Sequence, residues 1–401
     1  MIEGLIRDYF KVGSARFVLP GGKEVSVGEP SSPEVVVRIR DLATALRIAR
    51  RPSLALGEAY MDGGFEIALG DIYGFLDLFG RNRELRPPWR PGPFARVKRV
   101  FDQWNDRNAA RANIHHHYDL SLDLYRLFLD EDLQYSCAYF AHPDMSLEEA
   151  QAAKTEHLIA KLLIEEGASV LDIGCGWGGL GLSLAEHGAQ VTGVTLSDEQ
   201  FATANERAHA RGLSDRADFR LQDYRDVEGP FDRIVSVGMF EHVGRPNYQT
   251  YFDTIANLLK DDGVAVVHSI GRKDGPNTTQ PWIAKYIFPG GYIPALSEVL
   301  PHIERAGLWI TDVEILRLHY ADTLREWRKR FTAHRTEIAA LYDERFCRMW
   351  EFYLASSEIA FRYVGHMVFQ LQLTKRIDAA PITRDYIADV ERGRARRRQA
   401  A

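Results

Sequence analysis

Cysteine is scarce in this sequence. Cys137, Cys175 and Cys347 are the only three among 401 residues, and an odd number offers no framework of disulfide bonds. Such usage is typical of a reducing compartment, so we expect a cytoplasmic protein. A strong charge of either sign is also lacking. The formal net charge is -6, which gives no reason to expect general binding of nucleic acid.

Long apolar runs are missing as well. No stretch approaches the length that spans a bilayer, and Met1–Gly13 lacks the apolar core of a signal peptide. One local charge excess stands out, five arginines between residues 392 and 398. We interpret this segment as a solvated tail, with attraction to anionic lipid as the alternative.

What the chain does contain is a glycine-rich stretch from Ser169 to Gly188. An apolar strand over 170–173 leads into Gly174, Gly176 and Gly179, and a leucine-rich helix follows. Strand, glycine turn and helix begin a nucleotide-binding βαβ unit. Glycine suits the turn because the backbone bends sharply and a ligand approaches it with no Cβ in the way.

Two details separate the ligands that such a turn binds. An NAD site requires an acidic residue about twenty positions further on, but Gln190–Ser197 contains none and the next is Asp198. Asp172 instead lies two residues before the turn. Asp-x-Gly-x-Gly resembles motif I of the S-adenosylmethionine (SAM) methyltransferases, in which the turn approaches the amino-acid half of the cofactor. We therefore favour SAM over NAD.

Further strands alternate with helices after this unit, which predicts an α/β fold with a parallel sheet and right-handed crossovers. We expect a helix from the capping box at Ser146 to about Glu166. The predicted strands are 169–174, 190–197, 219–224, 231–238 and 263–270. Ligands bind beyond the carboxyl ends of parallel strands. That rule selects residues 195–197, 222–224, 238–244 and 268–270 as the walls of a site.

The composition along the chain predicts four regions. Residues 1–84 read as a small N-terminal α+β or helical module for lipid or oligomer contact. Residues 85–100, with four prolines among arginines, read as an exposed linker. The catalytic domain is expected over 101–390, and residues 391–401 form the basic tail. A proline-rich, aromatic excursion over 272–300 suggests a lid or a hydrophobic channel wall. Residues 324–363 have a helical pattern, and 366–373 read as a last strand.

Two features invite chemistry that we do not assign. Three adjacent histidines at 115–117 suggest a metal site, but neighbouring residues do not face one another and no second ligand cluster has metal spacing. We therefore expect no metal. Cys137 invites a role as a nucleophile, but no His and Asp partners are evident near it in the sequence.

Seven motifs now form a recognisable set. Together they resemble the cyclopropane-fatty-acid synthases and the mycolic acid cyclopropane synthases, over residues 101–375. The N-terminal segment, with Gly57–Gly64, looks like the extra domain of the bacterial phospholipid enzymes. The resemblance implies a Rossmann-like SAM methyltransferase sheet with an antiparallel C-terminal strand. The motifs are Asn113–Asp119, Tyr135–Phe140, Leu171–Gly178, Val194–Ser197, Phe240–Gly244, Phe288–Gly291 and Leu318–Tyr320.

The resemblance also implies a reaction. SAM donates a methyl cation to a cis double bond of a phospholipid acyl chain, and loss of a proton from the new methyl group closes a cyclopropane ring. Because water would trap the carbocation, the site needs apolar walls and a proton acceptor held close. In the family that acceptor is bound bicarbonate. Its holders here would be Cys137, Glu241, His268, Tyr320 and the backbone at Ile270, with Glu241 accepting the bicarbonate O–H.

The resemblance assigns a second set of residues to the cofactor. One position departs from the mycolic acid enzymes, which have Trp-Glu where this chain has Tyr224-Arg225. The tyrosine ring can still stack on adenine, and we expect Asp223 to replace the missing acidic contact. The expected cofactor residues are Tyr135, Ser136, Asp172, Gly174, Gly176, Thr195, Leu196, Ser197, Gln200, Gln222, Asp223 and Tyr224.

Several alternatives remain open. Taken singly, His268 is a buried core histidine and Glu241 a helix cap. Within the same fold, a fatty-acid C-methyltransferase would leave a methyl or methylene branch in place of a ring. A non-catalytic lipid-binding protein and an NAD oxidoreductase are the readings from other classes. An enzyme that acts on lipid without a membrane span must work as a peripheral protein at the inner membrane surface, and a homodimer is possible.

Overall fold

A computed structural model describes residues 2–29, 31–86 and 120–400. Of the predicted linker over 85–100, only residues 85 and 86 lie within these ranges. The Asn113–Asp119 motif lies outside them. The chain divides into two compact units. The first comprises residues 1–90, 279–289 and 321–366, and the second comprises 91–278, 290–320 and 367–401. The first unit is thus built from three separate segments of the chain. The four regions predicted from the sequence remain a prediction.

The first unit contains a four-stranded sheet in the order β2-β1-β3-β4. Its strands are β1 (Ala15–Val18), β2 (Glu24–Val27), β3 (Val35–Ile39) and β4 (Phe65–Leu69). β1 is antiparallel to β2 and parallel to β3, and β3 is antiparallel to β4. Its helices are Ile2–Tyr9, Leu42–Arg50, Pro52–Met61, Ile72–Glu84, Pro281–Tyr286, Arg335–Leu341 and Glu344–Tyr363, with most of His319–Ala333.

Local sequence explains why these helices begin where they do. The side chains of Asp41 and Asp71 accept hydrogen bonds from the N–H groups of Thr44 and Gly74, both at 2.7 Å, which satisfies otherwise free helix donors. The later segments join through close contacts. A Cβ on Gly57 would lie 2.4 Å from Trp282 Nε1, so only glycine admits the indole there.

The second unit is built on a seven-stranded sheet in the order β10-β11-β9-β8-β5-β6-β7. Pairs β5–β6, β5–β8, β6–β7 and β8–β9 are parallel, whereas β10 and β11 are antiparallel. The strands are β5 (Ser169–Ile173), β6 (Gln190–Thr195), β7 (Ala217–Leu221), β8 (Phe231–Val237), β9 (Leu259–Arg272), β10 (Trp309–Ile315) and β11 (His366–Thr374). The α/β fold with a parallel sheet and an antiparallel C-terminal strand is therefore confirmed.

Helices cover this sheet, because its strands carry apolar side chains on both faces. Two buried clusters result, one centred on Phe240, Tyr251 and Phe252, the other on Leu158, Leu182 and Phe219. The helices of this unit are Leu122–Phe128, Leu147–Lys161, Gly179–Glu186, Asp198–Ala210, Tyr248–Leu258, Leu296–Arg305 and Asp385–Ala400. The last includes the arginine-rich segment.

The predicted elements of this unit are close to the observed ones. The capping box at Ser146 is present, with bonds between Ser146 and Glu149 in both directions. β9 is longer than expected and β7 begins two residues earlier. β10 had no prediction. In the first unit, the helical pattern predicted over 324–363 is divided among three helices. In the described part of the chain, no helix is both long and apolar enough to cross a membrane.

Candidate functional site

The glycine turn after β5 forms as predicted at Gly174 and Gly176, but its third glycine is Gly178, because the expected Gly179 already begins the next helix. Gly174, Gly176 and Gly178 have φ angles of 80°, 55° and 81°, a region that disfavours other residues. The N–H of Gly174 donates to Val194 O at 2.9 Å, which fixes the turn against β6. A Cβ at Gly174 would lie 2.8 Å from Met239 Cβ. The turn is therefore a tight backbone cradle that a side chain would disrupt.

Asp172 lies in β5 immediately before this cradle. Its side chain is buried, and one carboxylate oxygen, Oδ2, has no hydrogen-bond partner among the described residues. Burial raises the pKa of Asp172 to about 7, although Lys154 opposes this rise. An unpartnered buried carboxylate next to a glycine turn is suited to accept a hydrogen bond from a cationic ligand group.

The end of β6 forms the second wall. Ser197 caps the helix Asp198–Ala210 by accepting from Gln200 N at 3.3 Å, and Thr195 Oγ1 donates to Gln200 Oε1 at 2.8 Å. Leu196 lies between these two polar residues. Gln222 N donates to Thr195 O at 3.0 Å, so the ends of β6 and β7 are joined. The predicted cofactor residues of this wall therefore lie together at the carboxyl edge.

Asp223, the residue expected to contact adenine, is held by the neighbouring arginine. Arg225 binds both of its carboxylate oxygens, with Nε to Oδ1 at 2.8 Å and Nη2 to Oδ2 at 2.6 Å. Hydrogen bonding to Asp223 raises the pKa of Arg225. The Tyr224 ring has its centroid 5.7 Å from that of Tyr251 in an edge contact. Arg225, which stands where the mycolic acid enzymes have glutamate, thus binds Asp223, the residue expected to replace that glutamate.

Glu241 and Ile270 meet directly at the carboxyl edge. The N–H of Ile270 donates to Glu241 Oε1 at 2.6 Å, and Glu241 Oε2 is buried without a hydrogen-bond partner in the described residues. Burial raises the pKa of Glu241 to about 7, against the opposing Ile270 bond. The backbone N–H that was expected to hold an anion is thus bonded to the neighbouring carboxyl group.

His268 lies on the same strand, opposite Val237 of β8. Gln370 Nε2 lies 3.1 Å from His268 Nδ1. With the amide nitrogen donating, the neutral ring carries its proton on Nε2. Burial holds the pKa of His268 well below its usual range. His268 is therefore a neutral ring at physiological pH, with an Nε2–H that can donate a hydrogen bond. It can serve a site as well as pack in the core.

Cys137 and Tyr320 belong to two segments that meet at Phe140 and His319. Phe140 N donates to His319 Nδ1 at 3.0 Å, and the His319 ring stacks on Tyr139 with centroids 4.8 Å apart. Cys137 is fully buried. The structure therefore brings Glu241 and Ile270 into contact, and it joins the segments that carry Cys137 and Tyr320. That all five expected bicarbonate holders form one site stays a prediction.

The segment that carries Tyr135 and Ser136 is held by residues that the sequence did not single out. Lys154 Nζ donates to Gln134 Oε1 at 2.5 Å and to Ser136 Oγ at 3.1 Å. Gln151 Nε2 donates to the carbonyl oxygens of Gln134 and Ser136 at 3.1 and 3.0 Å. The available signal was a polar side chain every three or four positions along an otherwise apolar helix face.

Comparisons with known proteins identify the family of the chain. The family model described as mycolic acid cyclopropane synthetase matches residues 105–371. The chain is 38% identical to the Escherichia coli cyclopropane-fatty-acyl-phospholipid synthase, over 85% of this chain and 88% of that protein. It is 39% identical to the tuberculostearic acid methyltransferase UfaA1 of Mycobacterium tuberculosis, over 90% and 87%.

A solved structure gives the same result for the fold and the cofactor class. The mycolic acid cyclopropane synthase CmaA1 in complex with S-adenosylhomocysteine (SAH) is 33% identical, with a TM-score of 0.62, over 66% of this chain and 97% of that one. The family match covers more than half of the chain. This chain therefore belongs to the mycolic acid cyclopropane synthetase family of SAM-dependent methyltransferases.

Proposed function

We propose that this enzyme transfers a methylene group from SAM to the cis double bond of an unsaturated acyl chain in a membrane phospholipid, which forms a cyclopropane fatty acid. The observation that supports it most is the buried group of Glu241, Ile270 and His268 at the carboxyl edge. Within this group the Glu241 carboxyl, whose pKa burial raises to about 7, can take up or release a proton near neutral pH, as the loss of a proton from a carbocation requires.

The residues around the glycine turn fit SAM. Gly174 leaves no room for a side chain beside Met239, so the backbone itself faces the ligand. Asp172 Oδ2 is a buried acceptor without a partner among the described side chains, which suits the ammonium of the methionine half. In this proposal Thr195, Ser197 and Gln200 shape the ribose side, and the Tyr224 ring supports adenine.

The buried group also fits a small oxyanion such as bicarbonate. Glu241 Oε2 is available as a partner for an O–H, and His268 donates through Nε2. When bound, SAM supplies an electrophilic methyl group and bicarbonate supplies a proton acceptor. The protein residues orient these groups and exclude water. Cys137 and Tyr320 are proposed as the remaining holders, with the Ile270 N–H shared between Glu241 and the anion.

The name of one relative supports the proposed substrate class. The Escherichia coli relative is a cyclopropane-fatty-acyl-phospholipid synthase by name and is matched over most of its length. We infer that this chain likewise acts on phospholipid and contacts the inner membrane surface peripherally. Assembly as a homodimer is part of the same proposal.

A second product is favoured by a specific observation. Two relatives at 37% and 39% identity are named for methyl transfer, a probable fatty acid methyltransferase of Pseudomonas putida and the tuberculostearic acid methyltransferase. The alternative is therefore a methyl or methylene branch on the acyl chain. The two outcomes differ in the fate of the carbocation. Loss of a proton from the new methyl group closes the ring, whereas a 1,2-hydride shift before that loss gives the methylene branch. Loss of a proton from the neighbouring chain carbon instead leaves a methyl branch beside a double bond.

Incubation of the purified protein with methyl-labelled SAM and unsaturated phosphatidylethanolamine vesicles tests both. We expect the label in the fatty-acid fraction, with NMR signals of cyclopropyl protons. Olefinic methylene or methyl-branch signals would support the alternative, and no label in lipid would refute both. Glu241→Gln should transfer label far more slowly, and partial rescue by added bicarbonate is expected if an anion is the proton acceptor.

A further inference from the structure

One face of the helix Leu147–Lys161 buries four polar side chains. Gln151, Lys154, His157 and Lys161 are exposed by only 2%, 0%, 2% and 1%. Their spacing of three, three and four residues places them in a row along one side. Burying charged or polar side chains is costly unless they are paired. We therefore expect each side chain in this row to bind a partner and to hold that partner in place.

The row divides into two halves with different partners. Lys161 forms ion pairs with Asp312 at 3.1 Å and with Glu314, and His157 binds Glu314 at 2.8 Å and Glu391 at 2.7 Å. These bonds connect the helix to β10 and to the C-terminal helix. Lys154 and Gln151 instead make four hydrogen bonds to Gln134 and Ser136, next to the expected cofactor residue Tyr135.

Lys154 also has an electrostatic role toward β5. Burial lowers the pKa of Lys154 to about 8, against the opposing influence of nearby acidic groups. Lys154 in turn favours the ionised form of Asp172, whose pKa burial raises. The titratable groups that interact with this pair are Asp130, Asp132, Cys137, Cys175 and His268.

We propose that Lys154 is a positioning residue of the cofactor site, whose ammonium group holds the Gln134–Ser136 segment by two hydrogen bonds and supplies the positive charge that balances the buried Asp172 carboxylate. The inference rests on the proposed binding of SAM at the glycine turn. A cation here has a clear use. Without it, Asp172 would keep its proton at neutral pH and would no longer offer an anionic acceptor to the ligand ammonium.

The test is the binding of SAH, measured by titration calorimetry between pH 5.5 and pH 7.5, a range that lies below the pKa of about 8 to which burial lowers Lys154. In the unmodified protein, the affinity should rise with pH through about 7, because Asp172 ionises there. Lys154→Gln keeps a polar side chain but removes the charge. We expect SAH to bind about tenfold more weakly at pH 7, with the rise in affinity moved to higher pH, because the cation that lowers the pKa of Asp172 is gone.

Lys161→Gln is the matched control, since Lys161 is an equally buried lysine on the same helix. It should change thermal stability but leave SAH affinity and its pH profile unaltered. Equal affinity and profile in Lys154→Gln and the unmodified protein would overturn the inference, as would an equal loss in Lys161→Gln. If circular dichroism shows that Lys154→Gln is unfolded, Lys154→Arg replaces it.

Lys154→Arg preserves the charge, so its pH profile should match that of the unmodified protein. A profile displaced to higher pH in this variant would overturn the inference. Failure of the unmodified protein to bind SAH at any pH would instead refute the use of SAM on which the inference rests. The two failures are therefore distinguishable.

Discussion

The substitution Glu241→Gln should raise the stability of the protein more at pH 7 than at pH 4.5, while it removes activity. The carboxyl pKa rises from its ordinary 4.5 to about 7 because the group is buried. As pH increases from 4.5 to 7, the unfolded chain releases this proton but the folded chain keeps it. The free energy of unfolding therefore falls, and the difference between the two pKa values corresponds to about 3 kcal/mol. Glutamine retains the acceptor for Ile270 N–H but has no proton to release.

Urea unfolding of both proteins at several pH values between 4.5 and 8 measures this effect. The stability of Glu241→Gln relative to the unmodified protein should increase by about 3 kcal/mol across the range and stay level above pH 7. Any cost of the buried amide is independent of pH and does not affect this slope. Glu304→Gln, at an exposed position, serves as the control. A difference that stays constant with pH would refute the burial argument for Glu241.

Two further substitutions test other parts of the structure. Burial lowers the pKa of His157, but its hydrogen bonds to Glu314 and Glu391 outweigh this and raise it. The bonds of the charged ring contribute fully below pH 6.5 and are lost as pH rises through the raised pKa, so His157→Gln should cost roughly 1.5–3 kcal/mol at pH 6 and less at pH 8.5. Equal losses in urea unfolding would contradict this. Gly57→Ala forces a Cβ to within 2.4 Å of Trp282, and overpacking of this kind costs about 1–3 kcal/mol. A thermal unfolding curve identical to that of the unmodified protein would show that the indole moves freely.

The parts of the fold that local sequence determines were predictable. The glycine turn after β5 needs positive φ angles, and the sequence supplies glycine at each such position. The capping box at Ser146 is a contact between residues three apart. The parallel strands β5, β6 and β8 are apolar runs bounded by turns. In each case the physical cause lies within a few residues of the element.

The parts that depend on distant contacts were not predictable. β10 has only a short alternation, in which Val313 and Ile315 are separated from each other and from Thr311 by acidic residues. Its antiparallel pairing with the distant β11 identifies it as a strand. In the sequence, Lys154 looks like a lysine on the exposed face of a helix. Its burial is explained only by its hydrogen bonds to Gln134 and Ser136. The bond from Ile270 N to Glu241 likewise joins residues 29 positions apart. Sequence motifs identified the family and named both residues, but not the contact between them.

The first unit combines an N-terminal segment with two segments that lie much further along the chain. Tyr60 donates its O–H to Glu351 Oε2 at 3.0 Å, and Tyr363 donates to Asp77 Oδ1 at 2.8 Å. A Cβ on Gly80 would collide with Tyr363. During synthesis on the ribosome, residues 1–86 emerge long before these partners exist. The apolar surface that these later residues cover therefore stays exposed until about residue 366 has been translated, so we expect the first unit to complete its packing only after that point.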